Sequence, residues 1–107
     1  MSIFDLFGSV RDINKGVETY KKTPGAVLVD VRTREEYAYG HIDSSVNIPL
    51  DQISKVNYSK ETPLFVYCQS GSRGSAACTW LNQNGFHATN IGGIMNYRGA
   101  IKTGGNR

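Results

Sequence analysis

Acidic residues stop at Glu61. From residue 62 to residue 107 the chain has no aspartate or glutamate, while Arg73, Arg98, Lys102 and Arg107 give that stretch a net charge of +4; residues 1–61 hold eight basic and nine acidic residues. Four scattered cations with no lysine or arginine cluster make a poor footprint for a phosphate backbone, so nucleic acid is not the expected partner. The positive bias suits a small anionic substrate better. Cysteine is scarce as well. Cys68 and Cys78 are too few for a disulfide scaffold. If a helix joins them, a rise of about 1.5 Å per residue carries them beyond disulfide reach. With His41 and His87 they offer four soft or imidazole ligands, none at CxxC or HxxxH spacing, and no metal is expected. No apolar run approaches the roughly 20 residues that cross a bilayer, and the start lacks the basic n-region of a signal peptide, so no membrane is expected. The simplest location is cytoplasmic.

What the chain does have is enough apolar residue, 39% against 20% charged, to fold. A length of 107 residues makes one domain the expectation, over 1–107 and as a monomer. Within it, residues 1–8 read as an arm and 103–107 as a flexible tail.

The hydrophobic pattern alternates between two periods. Asn14 to Lys22 reads as a short helix with Asp12 or Asn14 as cap and Thr23-Pro24-Gly25 as stop. Ala26 to Val31 is a β-branched run of the kind a strand buried on both faces shows. Thr33 can cap a short helix over Arg34 to Tyr39, which Gly40 closes. Val46 to Ile48, Leu64 to Tyr67 and Ala88 to Ile91 read as further strands. Leu50 to Val56 and about Gly74 to Gln83 read as helices. This alternation predicts an α/β domain: an open parallel sheet with helices on both faces. Ligands bind beyond the C-terminal strand edge of such sheets, and Cys68 falls there.

After Cys68 comes a small polar loop, Gln69-Ser70-Gly71-Ser72-Arg73. Small residues let backbone N–H groups converge as an anion nest, and the next helix adds its positive end. Arg73 adds a forked cation. All three favour negative charge on the Cys68 sulfur, which makes it a nucleophile aimed at anionic electrophiles. Cys78, mid-helix between Ala77 and Thr79, reads as core packing. Asp30 and Arg32 end a parallel strand, and an internal Asp–Arg pair supporting the pocket is the preferred reading. His41 reads as a hydrogen-bonded structural residue, Arg98 and His87 as surface.

Three stretches resemble one family in order. Asp30-Val31-Arg32, Glu36-Tyr37, Gly40-His41-Ile42 and Asn47-Ile48-Pro49 resemble the rhodanese signature. Cys68 to Ser75 is similar to the rhodanese active-site loop, and Ile91-Gly92-Gly93 through Gly99 to its closing segment. Ser44-Ser45 replaces the usual Gly-Ala and Tyr97 the usual tryptophan; the first change tests whether that turn needs positive φ. The resemblance implies a rhodanese-like fold and a sulfurtransferase without cofactor. Cys68 would take the outer sulfur of thiosulfate or a related small anionic donor as a persulfide. It would then pass that sulfur to a thiol, cyanide or protein acceptor. Backbone amides of Gln69, Ser70, Gly71, Ser72 and Arg73 would hold the sulfur anion, and Arg73 would help bind the donor. A cysteine phosphatase or arsenate reductase of the same fold is the nearest alternative, but its cradle needs one more residue between cysteine and arginine. A persulfide-relay or regulatory binding module is the other.

Overall fold

The computed structural model describes residues 11–105; the arm expected over 1–8 and the last two residues of the expected tail lie outside them. Helix α1 (Ile13–Lys22) is followed by β1 (Val27–Asp30), α2 (Arg34–Tyr39), β2 (His41–Ile42) and β3 (Val46–Asn47). A 3-10 turn (Leu50–Lys55) leads to β4 (Pro63–Cys68), α3 (Ser72–Gln83) and β5 (His87–Gly93). A second 3-10 turn (Ile94–Asn96) precedes β6 (Ile101–Lys102). The main sheet has the order β3-β1-β4-β5 with every pair parallel. No helix among the described residues is long and apolar enough to cross a membrane.

Strand β4 shows why both faces need cover. Successive side chains of a strand alternate faces. Leu64, Val66 and Cys68 join Val29, Val31 and the α3 residues Ala77, Cys78 and Leu81 on one side. Phe65 and Tyr67 join Leu28, Ile91 and the α1 residues Ile13 and Val17 on the other. The expected open parallel α/β sheet with a helix layer on each face is therefore what the chain forms. Asp12 caps α1 through Oδ1, which accepts from Asn14 N at 3.0 Å. Thr33 caps α2 reciprocally with Glu36, each side chain accepting from the other's backbone N–H.

Several boundaries differ from those expected. Cys68 is the last residue of β4 rather than the first of a loop, and α3 starts at Ser72 rather than Gly74. The 310-type turn replaces the helix expected over Leu50 to Val56. A second sheet, β2 antiparallel to β6, was not expected; it pairs His41 with Lys102 and Ile42 with Ile101. It is held to the main sheet by Tyr67, whose buried hydroxyl accepts from Ile42 N at 3.0 Å and meets Ser45 Oγ at 3.0 Å. Beyond β6, Gly104 N donates to Ala38 O at 2.6 Å.

The turn before β3 answers the question raised by Ser44. Its φ is +75°, the one positive value at a non-glycine residue among the described residues. A left-handed residue with a Cβ costs roughly 1–2 kcal/mol, partly offset by the looser unfolded chain that glycine brings. Ser44→Gly is therefore expected to stabilise the fold by roughly 0.5 kcal/mol. Thermal melts of the two proteins check this; an unchanged or lower midpoint would count against strain at this turn.

Candidate active site

Strand β4 carries Cys68 to the sheet edge, and the chain then turns sharply into α3. Gly71 makes that turn with φ +110°, a conformation that disfavours any side chain. The result aims two backbone donors at one atom: Cys68 Sγ accepts from Gly71 N at 3.0 Å and from Gly74 N at 3.2 Å. Gly74, one of these two donors, lies outside the loop residues singled out from the sequence. Ser72 and Arg73 lie in the first turn of α3, where backbone N–H groups have no acceptor within the helix. All of these donors favour negative charge on a group held at the helix end. Cys68 itself is wholly buried, whereas the next two residues, Gln69 and Ser70, are exposed.

The loop is pinned from behind by residues that the sequence did not single out as part of the site. Asn90 Nδ2 donates to Gly71 O at 2.9 Å, and Met95 N donates to Gln69 O at 3.2 Å. Gly93 lies directly under the loop: a Cβ there would stand 2.2 Å from Gln69 O and 2.6 Å from Ser70 Cα. The available signal was the Gly92-Gly93 pair at a strand end, a mark of close backbone approach.

The two arginines are both engaged. Arg32 is buried and pairs with Asp30 through Nε at 3.0 Å and Nη2 at 2.7 Å, and Nη2 also donates to Gly40 O at 2.6 Å. Burial is the largest single influence on the Arg32 guanidinium and pulls its pKa down, but the bond to Asp30 and the negative charges of Asp30, Tyr67 and Glu36 together outweigh it and raise the value. The pair joins the end of β1 to the end of α2. Arg73 does not stand free beside the sulfur. It forms a two-pronged ion pair with Glu36, Nη1 to Oε1 at 2.7 Å and Nη2 to Oε2 at 3.0 Å. Tertiary folding brings this acid from 37 positions upstream.

That ion pair has a pH consequence. The hydrogen bond from Arg73 holds the Glu36 carboxyl down at about 2, against an ordinary 4.5. A carboxyl depressed in the fold contributes stability above its unfolded value and loses it as pH falls toward its folded value. Glu36 is about one-third exposed, 34%, so solvent screening reduces the contribution to about 1 kcal/mol. Urea unfolding at about pH 6 and about pH 3 is expected to show this loss in the native protein and its absence in Glu36→Gln. An equal acid sensitivity in both would deny the pair that role.

The other candidates separate cleanly. Cys78 is buried in α3, and burial pushes its thiol up to about 12, the behaviour of a packing residue. His41 is buried, stacks on Tyr37 at 3.8 Å between ring centres, and has Nδ1 2.8 Å from Tyr37 O. His87 and Arg98 are exposed. Among the described residues no group of three or more His, Cys, Asp or Glu side chains comes together to hold a metal.

The rhodanese-like domain family profile matches residues 11–102. A sulfurtransferase from Allochromatium vinosum is 35% identical over 81 residues, covering 74% of this chain and 71% of that protein. A tRNA uridine(34) hydroxylase from Buchnera aphidicola is 32% identical over 101 residues, covering 83% of this chain but only 30% of that protein. The chain thus spans less than a third of the hydroxylases it matches. Among solved structures, a rhodanese-like domain protein from Staphylococcus aureus superposes with a TM-score of 0.76 at 27% identity, covering 87% of this chain and 95% of that one.

Proposed function

The chain belongs to the rhodanese-like domain family, and from that premise we propose that it is a sulfurtransferase working through a persulfide on Cys68. One observation carries the reading: a cysteine sulfur at the C-terminal end of a parallel strand, held 3.0 and 3.2 Å from two backbone amides at a helix start. Such a cradle stabilises a sulfur anion and gives it a nucleophile's direction.

The chemistry balances without a cofactor. The Cys68 thiolate attacks the outer, sulfane sulfur of thiosulfate or a related donor. A new S–S bond forms, the donor's own S–S bond breaks, and its electron pair leaves with sulfite or the corresponding anion. Cys68 then carries one extra sulfur whose negative charge faces the first-turn amides of α3. A thiol, cyanide or protein acceptor attacks that outer sulfur, takes it, and returns the thiolate. Two half-reactions on one covalent carrier give ping-pong kinetics. Asp30 and Arg32 hold the strand end that borders the pocket. Arg73 acts through Glu36, tying α2 to the start of α3.

Mass spectrometry of protein exposed to a sulfane donor and kept from reductants tests this. The expected result is one added sulfur atom on the peptide containing Cys68, removed by cyanide with release of thiocyanate. An adduct on Cys78 instead, or none, would overturn the proposal.

A further inference from the structure

Strand β5 does not pair with β4 in one unbroken register. Val66 lies opposite Asn90 and Tyr67 opposite Gly92, so Ile91 is one residue extra and β5 bulges at the level of the last residues before the loop. Bulges redirect side chains, and here the two neighbours part. Ile91 packs with Ile13 and Val17 of α1. The Asn90 carboxamide goes to the α3 side, where Nδ2 donates to Gly71 O at 2.9 Å and Oδ1 accepts from Gly92 N at 3.1 Å. One end of the amide gives a hydrogen and the other receives one, which fixes its orientation.

The same carboxamide fills the space over Gly74. A Cβ on Gly74 would stand 2.7 Å from Asn90 Oδ1, 3.1 Å from Cγ and 3.3 Å from Nδ2. Asn90 thus touches both residues whose N–H groups face Cys68 Sγ, Gly71 through a hydrogen bond and Gly74 through contact. Apart from Cys68, no other side chain among the described residues hydrogen-bonds to either glycine. Its neighbours on this side of the sheet, Val29, Val66 and Ala77 among them, are apolar. A polar side chain here forgoes apolar burial, and what it gains instead is a hold on the loop.

Building on the sulfur-transfer reading above, we propose that Asn90 is a positioning residue for the transfer: its carboxamide, delivered by the bulge, sets the aim of Gly71 N and Gly74 N at Sγ. It touches no reactant and acts through the two glycines. Gly71 O, which Asn90 holds together with Ser75 N at 3.0 Å, belongs to the same peptide unit as Ser72 N. In a trans peptide the N–H points opposite to the C=O. Fixing Gly71 O toward Asn90 therefore turns the Ser72 N–H the other way, out of the open end of α3, where the transferred sulfur carries its charge. Donors aimed in advance need no reorganisation when charge moves onto them. Without the carboxamide the first turn of α3 settles into the vacated space, and both N–H groups move off Sγ.

A double-substitution cycle tests this. The readout is the single-turnover rate at which thiosulfate or polysulfide loads one sulfur onto Cys68. Asn90→Ala is expected to slow loading about tenfold, part of the roughly 100-fold that a 1 Å misplacement costs. Gly74→Ala keeps its backbone N–H, but the new methyl group meets Oδ1 and pushes the carboxamide off Gly71, so a similar factor is expected. The two together are expected to be no slower than either alone, because the methyl group takes the space the carboxamide leaves; independent effects would multiply to about 100-fold. The double variant's thermal midpoint is expected at or above that of Asn90→Ala, since alanine is the better helix former, so the lost rate is not lost fold. In NMR spectra of Asn90→Ala the Gly71 and Gly74 amide protons are expected to move upfield as their bonds to Sγ lengthen. Native loading by Asn90→Ala overturns the proposal. So does multiplication of the two effects, or a double variant whose rate recovers along with its midpoint. If Asn90→Ala does not fold, Asn90→Asp is read in the same way; it keeps the shape and the acceptor for Gly92 N but not the donor to Gly71 O. Failure of the native protein to load sulfur from either donor would instead overturn the sulfurtransferase reading, and the two amide signals would still show whether Asn90 aims them.

Discussion

Cys68→Ser is expected to lower sulfur transfer by about a thousandfold or more, while Cys78→Ala stays close to the native rate. The two sulfurs make this a controlled comparison. Both are unpaired, both are buried, and both pack in the same apolar cluster between the sheet and α3. They differ in what faces them. Cys68 has two amides of the α3 start aimed at Sγ; Cys78 packs into the apolar cluster, and burial pushes its thiol up. A serine hydroxyl at 68 can accept the same amides, so the loop keeps its support and the fold should survive. What serine lacks is a polarisable sulfur able to form a sulfur–sulfur bond. Activity is measured as thiocyanate released from a sulfane donor and cyanide, with circular dichroism to establish folding. A folded Cys68→Ser protein with native turnover would remove the covalent mechanism, and with it the assignment of the site.

Sequence patterns carried the main sheet because its strands are continuous and apolar. Val27 to Asp30 and Pro63 to Cys68 are buried on both faces, and that reads directly as a β-branched or aromatic run between turn signals. Thr33 with Glu36 three positions later is a local device, so the α2 cap was also legible. The Asp30–Arg32 pair spans two positions and was equally within reach of local reasoning.

Features set by distant partners were not legible. Strands β2 and β6 have two residues each, too short for any periodicity, and they pair across about 60 positions of chain. The start of α3 was placed two residues late because Gly71 reads as loop punctuation. In the fold its left-handed φ is what lets the helix begin at once. The ion pair of Arg73 with Glu36 joins halves of the sequence that charge counting had kept apart. A net charge summed along a segment describes the unfolded chain. The field at Cys68 depends instead on which side chains the sheet order brings to one edge: β1 lies next to β4, so α2, which follows β1, reaches the loop that follows β4.

Gly93→Ala carries the other large expected effect, a loss of about 100-fold in sulfur transfer with the sheet intact. The residue has an extended backbone that any amino acid can adopt, with φ −123°, so conformational strain is not the cause. Contact is. The added Cβ would stand 2.2 Å from Gln69 O, 2.6 Å from Ser70 Cα and 2.7 Å from Gln69 C. All three are backbone atoms, so no side chain can rotate out of the way. Either β5 moves from β4, which breaks the parallel pairing of Cys68 with Gly93, or the loop lifts. The loop is the softer element, because Gln69 and Ser70 are exposed and held mainly by Met95 N on Gln69 O. Lifting it carries Gly71 N away from Sγ and misaims donors whose value depends on fixed placement; displacement by about 1 Å is enough for a 100-fold cost. The loss should fall on kcat for every donor alike. Hydrogen exchange would locate the disturbance: faster exchange at Gly71 and Met95 with unchanged protection through Leu64 to Tyr67 is the expected pattern. Native turnover in Gly93→Ala would mean that the loop tolerates displacement, and the two amide contacts to Cys68 would then carry little of the catalysis.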